Sequence, residues 1–279
     1  MGSISLAGPK VLLIGASGTG KTRSLGPLVD WAAKNGRKVR VLFTENSLET
    51  LLGYWRDRGL EVPDCLAYHV TTTPAIPLKS LTEAAKKVGL LSYKAITEMV
   101  DPDRSTNNPY LKILEVLVNF PDDRTGELLG NIGEWKEDVV FAVDSLSELA
   151  NACMKMVIGS KPTASPSDYG VAQNNLLNFL RYLTQDLTCT VVMTAHVQRQ
   201  VDEISGMTKL QTKAIGKAMG DDIPQLFSEV IGTVKEGTAW YWDTAAIGLD
   251  TKTRYLPIQS KILPDFALIM DKWVKRSQA

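Results

Sequence analysis

The chain has 279 residues but only three cysteines and two histidines, and its 31 Lys and Arg are balanced by 31 Asp and Glu. Each shortage excludes a class of protein. Cys65, Cys153 and Cys189 are scattered with no C-x-x-C pair, and His69 and His196 lie far apart, which argues against a zinc site or a disulfide framework. Zero net charge gives no global pull toward nucleic acid or a membrane, so polyanion binding needs local patches or repetition in an oligomer. No apolar run reaches membrane-spanning length, the apolar stretch at 11–14 is too short for a signal-peptide core, and the myristoylation pattern fails at Leu6. A cytoplasmic protein with no membrane role is expected. Hydrophobic content of 44% and charge of 22% are ordinary for a globular domain, and no internal repeat is visible.

What is present begins at Gly15-Ala16-Ser17-Gly18-Thr19-Gly20-Lys21-Thr22, directly after the apolar run Val11-Leu12-Leu13-Ile14. This is the phosphate-loop pattern G-x-x-x-x-G-K-[ST] between a buried strand and a helix-forming segment. Glycines let successive N–H groups turn toward phosphate oxygens, and the helix N-terminus adds partial positive charge. Lys21 is placed to reach the β- and γ-phosphates, and the Thr22 hydroxyl to ligate Mg²⁺. The residues imply a nucleoside triphosphate site.

Strands alternate with helices along the rest of the chain. A helix is expected over 21–35, kinked by Gly26-Pro27, then a strand over 37–44 ending at Glu45-Asn46, and a helix capped by Ser47 running to Arg58. A short strand follows at 66–70. Residues 71–135 are looser, with helices expected at 80–87 and 111–118, and read as an insertion or lid on a single 1–279 domain. Residues 138–143 form a strand ending in Asp144-Ser145, followed by a helix, the loop 159–167, a helix over 169–186 and a strand over 189–195 that ends at His196. Residues 197–220 are polar and aperiodic, a long loop by pattern. Segments 228–234 and 238–244 suggest a hairpin, and 251–255 a last strand. The alternation predicts an α/β fold, a mostly parallel sheet with its ligand at the carboxyl ends of the strands.

Polar residues fall at those ends. Asp144 closes the strand VVFAV in the position of a Mg²⁺-holding carboxylate; the plainer alternative is a helix cap, a role open to Ser145 as well. Glu45 is placed to orient and deprotonate water, or to serve as a capping carboxylate near Ser47. His196 could hydrogen-bond the γ-phosphate and report its loss to the loop behind it, or be a satisfied structural histidine. Lys252 and Arg254, two apart on an expected strand, share one face, either as a solvated edge or as fingers for a neighbour's nucleotide site.

GASGTGKT, FTEN, VVFAVDS, VVMTAH and TKTR together resemble the RecA-like P-loop ATPase superfamily, most nearly its small phage-encoded members implicated in single-strand annealing and recombination. The resemblance covers about 10–270. It implies a twisted sheet in which the Asp144 strand adjoins the Glu45 strand and the His196 strand adjoins the phosphate-loop strand. It also implies ATP and Mg²⁺, a homo-oligomer with Lys252 and Arg254 acting in trans, and single-stranded DNA against loops 159–167 and 198–216. His196 departs from the Gln or Asn usual at the sensor position. Those loops carry Lys161, Arg199, Lys209 and Lys213, offset by Asp202 and Glu203, and no aromatic suited to base stacking. The alternative from another class is a nucleotide-switched interaction ATPase, of the KaiC or partition type, whose partner is a protein.

Overall fold

The apolar runs become strands β1 (Lys10–Gly15), β2 (Lys38–Phe43), β3 (Leu66–Val70), β4 (Val139–Asp144) and β5 (Thr190–Val201). They belong to a computed structural model that describes residues 6–71, 78–79, 82–83, 85–86, 108–159, 161, 163–201 and 208–278. Three further strands are β6 (Thr208–Thr212), β7 (Glu229–Glu236) and β8 (Ala239–Asp243). The sheet order is β3-β2-β4-β5-β1-β7-β8, with β6 paired to β5. Every neighbouring pair from β3 to β7 is parallel, and only β7–β8 and β5–β6 are antiparallel. This is the mostly parallel α/β sheet with a C-terminal hairpin that the sequence predicts.

Both faces of the sheet are covered, which is why its strands read as continuous apolar runs. On one face lie α3 (Pro109–Val118), α4 (Leu146–Ile158) and α5 (Pro166–Arg181), packed on Leu12, Ile14, Phe141 and Val143. On the other lie α1 (Leu25–Lys34), α2 (Leu48–Arg56) and the C-terminal α7 (Ala267–Ser277), packed on Val11, Leu13, Val41 and Ala142. A short α6 (Met219–Asp222) precedes β7. Successive residues of β1 therefore feed opposite cores, as the two-residue period of a strand requires.

Much of the stretch expected as an insertion lies outside the described residues. Of the helix expected at 80–87, only residues 82–83 and 85–86 are described, and they are helical. The described remainder joins the core: Phe120 and Trp135 meet edge to face at 5.4 Å, and Trp135 meets Phe141 of β4 at 5.6 Å. The turn after α3 also covers the exposed edge of β3. The Asp123 N–H donates to the Tyr68 carbonyl, the Val70 N–H to the Asp123 carboxylate, and Arg124 to the Leu66 carbonyl. An edge whose backbone groups are already used cannot template a further strand.

Four local expectations change. Residues 21–24 form turns and α1 starts at Leu25, so Pro27 falls within the first turn, where its missing N–H costs nothing, and no kink follows. The Cβ that Gly26 lacks would overlap the Tyr54 ring of α2, so this glycine is what lets α1 and α2 approach. The polar stretch after His196 is not loop throughout, because β5 continues to Val201 and pairs with β6 from Val197↔Thr212 to Val201↔Thr208. Residues 251–255 form no strand, only a single bridge from Lys252 to Val230.

Candidate active site

The carboxyl ends of β1, β2 and β4 meet the middle of β5, where His196 lies within the strand and not at its end as the sequence suggests, and bring together the side chains expected at strand ends. β1 stops at Gly15, and the loop turns into Lys21 and Thr22. The Lys21 ammonium donates to the carbonyls of Gly15 at 2.9 Å and Ala16 at 2.7 Å. Burial pushes its pKa down, while the Asp144 and Glu45 carboxylates oppose the fall. Gly20 adopts φ 87°, and a Cβ there would lie 2.7 Å from Trp240, so both backbone and packing demand glycine.

Asp144 is fully buried and is the hub of the site. Its Oδ2 accepts the Thr22 hydroxyl at 2.7 Å and the Ser47 hydroxyl at 2.7 Å, and its Oδ1 accepts the Thr194 hydroxyl. Three hydroxyl donors are what keeps an ionised carboxylate tolerable away from water. The capping role falls to Ser145, whose hydroxyl accepts the Glu148 N–H at the start of α4. Thr44 ties β2 to this corner: its hydroxyl donates to the Ser145 carbonyl at 2.9 Å and accepts the Ser145 N–H at 2.9 Å. The Asp144–Ser145 peptide is cis.

Ser47 corrects a sequence expectation. It occupies the cap position of α2, yet its hydroxyl makes no cap hydrogen bond and serves Asp144 instead. Thr194 and Thr44 were also missed. A signal for Thr194 existed, since it lies two residues before His196 and so on the same side of β5.

Glu45 and His196 face each other with Oε2 and Nε2 3.7 Å apart. Burial raises the Glu45 pKa, the Asp144 charge raises it further, and His196 and a Ser145 hydrogen bond oppose the rise. The His196 N–H donates to the Ser147 hydroxyl at 3.0 Å, that hydroxyl donates to the Lys213 carbonyl at 3.0 Å, and the Lys213 N–H donates to the His196 carbonyl at 2.7 Å. The backbone at His196 is thus pinned both to α4 and to the foot of the β5–β6 hairpin.

Lys252 and Arg254 are not brought to this cluster. They line a cavity of about 220 Å³ with Lys10, Gln225 and Ser228, at the amino end of β1. The phosphate loop begins at the other end of that strand, roughly 15–20 Å away at the rise of a β-strand.

The donor set suits Mg²⁺. A threonine hydroxyl and a carboxylate are hard oxygen ligands, and a cation that keeps several waters and phosphate oxygens needs few protein ligands. Among the described residues no group of three or more His, Cys, Asp or Glu could hold a metal without such help.

A mostly parallel sheet with this loop at the end of an inner strand, β1, is the P-loop NTPase fold. Residues 7–256 match a family described as an AAA domain, AAA_24, and the chain belongs to that family. Among solved structures it is similar to a chain described as a prototypical ATPase from the type III secretion system of pathogenic bacteria, at 14% identity and a TM-score of 0.37. That match covers 82% of this chain and 52% of the other, so the chain spans about half the length of that relative. No curated protein matches. Among the described residues no helix is long and apolar enough to cross a membrane.

Proposed function

We propose that the chain is a Mg²⁺-dependent ATPase of the RecA-like kind, working as a homo-oligomer on single-stranded DNA. The observation that carries the hydrolytic part is the convergence of Lys21, Thr22, Asp144, Glu45 and His196 from three strand ends and the middle of β5, with Thr22 and Asp144 2.7 Å apart and Glu45 and His196 3.7 Å apart. Residues 15–20 would cradle the phosphates, and Lys21 would exchange its two loop carbonyls for phosphate oxygens. Thr22 and Asp144 would hold Mg²⁺, which when bound neutralises charge on the β- and γ-phosphates. Glu45 takes a proton from the attacking water as its oxygen bonds to the γ-phosphorus, the bond to the bridging oxygen breaks, and ADP departs. His196 senses the γ-phosphate and passes its loss to the hairpin through Lys213. Lys252 and Arg254 complete the site of the adjacent subunit, a role supported by their distance from their own loop.

Support for DNA is thinner, because two of the cations expected to face it are spent. Lys209 pairs with Asp221 and Asp250, each at 2.8 Å, and Lys161 pairs with Asp168 at 2.6 Å. Arg199 and Lys213 have no ion pair among the described residues. The spent cations favour, as a second reading, a nucleotide-switched ATPase whose partner is a protein. One experiment separates the two: the ATPase rate with and without single-stranded DNA, imaged in parallel for filaments or rings. Several-fold stimulation with assembly on DNA supports the first reading, and indifference to DNA removes it in favour of the second.

A further inference from the structure

The orientation of a triphosphate in the loop leaves one end of the nucleotide without an assigned partner. Glu45, two residues past β2, and His196, on β5, mark the γ end, and both strands lie on one side of β1 in the sheet order. The nucleoside must leave on the other side, past the start of α1, where β7 and β8 follow β1. An aromatic and cationic cluster stands there. The indole Nε1–H of Trp240, on β8, donates to the Gly18 carbonyl at 3.2 Å. The Arg23 guanidinium, one residue past Thr22, lies 5.2 Å from the centre of the Trp240 ring and 5.9 Å from that of Tyr54. Arg58 covers the Tyr54 ring at 3.9 Å, and the Tyr54 hydroxyl donates to Asp30 at 2.9 Å, so Tyr54 is held from both ends.

The packing of the core does not explain Trp240. Two residues on, Trp242 does that work: it is fully buried, meets Phe266 edge to face at 5.0 Å, and donates to the Ser24 hydroxyl at 3.2 Å. Trp240, on the same side of the strand, reaches beyond the core and stays partly exposed beside the loop. Arg23 is free to shift, because its ion pair is with Asp57, whose side chain is 62% exposed. A flat ring and a guanidinium plane beside a phosphate site are what a nucleobase stacks on, and stacking needs no hydrogen-bonding edge.

We propose that Trp240 and Arg23 form the platform on which the base of the bound nucleotide stacks, so that the β7–β8 hairpin belongs to the nucleotide site. This rests on residues 15–22 being the phosphate site. The test is calorimetric titration of the full chain with Mg²⁺ and either ATP or inorganic tripolyphosphate, which shares the phosphates and lacks the base. In the unsubstituted protein ATP binds more tightly than tripolyphosphate. Trp240→Ala weakens ATP by roughly ten- to a hundredfold, the range of one lost stacking contact, and leaves tripolyphosphate within about twofold. Trp240→Phe, which keeps a ring, restores most of the ATP affinity. Equal loss for both ligands in Trp240→Ala would mean that the indole only props the loop, and would overturn the proposal. So would equal affinity for the two ligands in the unsubstituted protein, with the phosphate site intact. Failure of both ligands to bind that protein would remove the phosphate site and this proposal together.

Discussion

The carboxylate of Glu45 and the imidazole of His196 lie 3.7 Å apart although their strands, β2 and β5, are separated in the sheet by β4. The strand between them ends in Asp144, so both residues reach across it toward the same space. This puts an acid, its modulator and the buried Asp144 carboxylate within one field, and on the proposed mechanism the pH dependence of turnover follows from it. Burial and Asp144 raise the Glu45 pKa, and His196 holds it down. As the proposed base, Glu45 must be ionised to accept a proton, so activity is expected to be lost as pH falls through that raised value, above the ordinary 4.5. Replacing His196 with Asn removes the restraint and moves the acid limb of the kcat profile to higher pH. Glu45→Gln lowers kcat by about 10²- to 10⁴-fold with ATP affinity little changed, and a profile unmoved in His196→Asn would dissociate the pair.

The three hydroxyls on Asp144 can be weighed by stability. Thr194 is fully buried, and Thr194→Val keeps its shape while deleting a donor to an ionised group. Urea unfolding without nucleotide is expected to show a loss of about 1.5–3 kcal/mol. Ser47→Ala removes a donor that is itself partly exposed, so water can take the place of its hydroxyl and a smaller loss is expected there.

Gly26→Ala sets two effects against each other. Helix propensity favours alanine by about 1 kcal/mol. The added methyl overlaps the Tyr54 ring, and overpacking costs about 1–3 kcal/mol, so packing wins and Tm falls. A rise in Tm would show that α2 yields easily.

The separation of Arg254 from its own phosphate loop makes a mixing experiment decisive. Arg254→Ala subunits added to unsubstituted ones are expected to depress ATPase activity more than in proportion, since each spoils a neighbour's site. Linear dilution would assign Arg254 to the cavity it shares with Lys10 and leave catalysis complete within one chain.

Legibility followed the range of the forces involved. The phosphate loop could be read because its geometry depends on eight successive residues. Strands β1, β2 and β4 could be read because burial on both faces demands unbroken apolar runs. The far half of β5 could not: beyond His196 it leaves β1, pairs with β6 instead, and carries the polar Gln198, Arg199 and Gln200. Ser47 was misread because capping is a local preference, whereas a buried carboxylate 97 residues away had the stronger need for its hydroxyl. Residues 251–255 were misread as a strand because alternation alone does not supply a partner edge.

By itself the sequence determined the class of chemistry, because backbone flexibility, a lysine and a hydroxyl in fixed order are enough to specify a phosphate cradle. It also determined where the apolar runs of β1, β2 and β4 stop, because hydrophobic runs stop where the chain meets water. The resemblance carried the two strand adjacencies that the sheet order bears out, β4 beside β2 and β5 beside β1; only the tertiary structure decided which hydroxyls serve Asp144, and that Lys252 and Arg254 line a cavity at the amino end of β1. Those relations depend on strand order and on the desolvation of one buried charge, and neither quantity exists until the chain has folded.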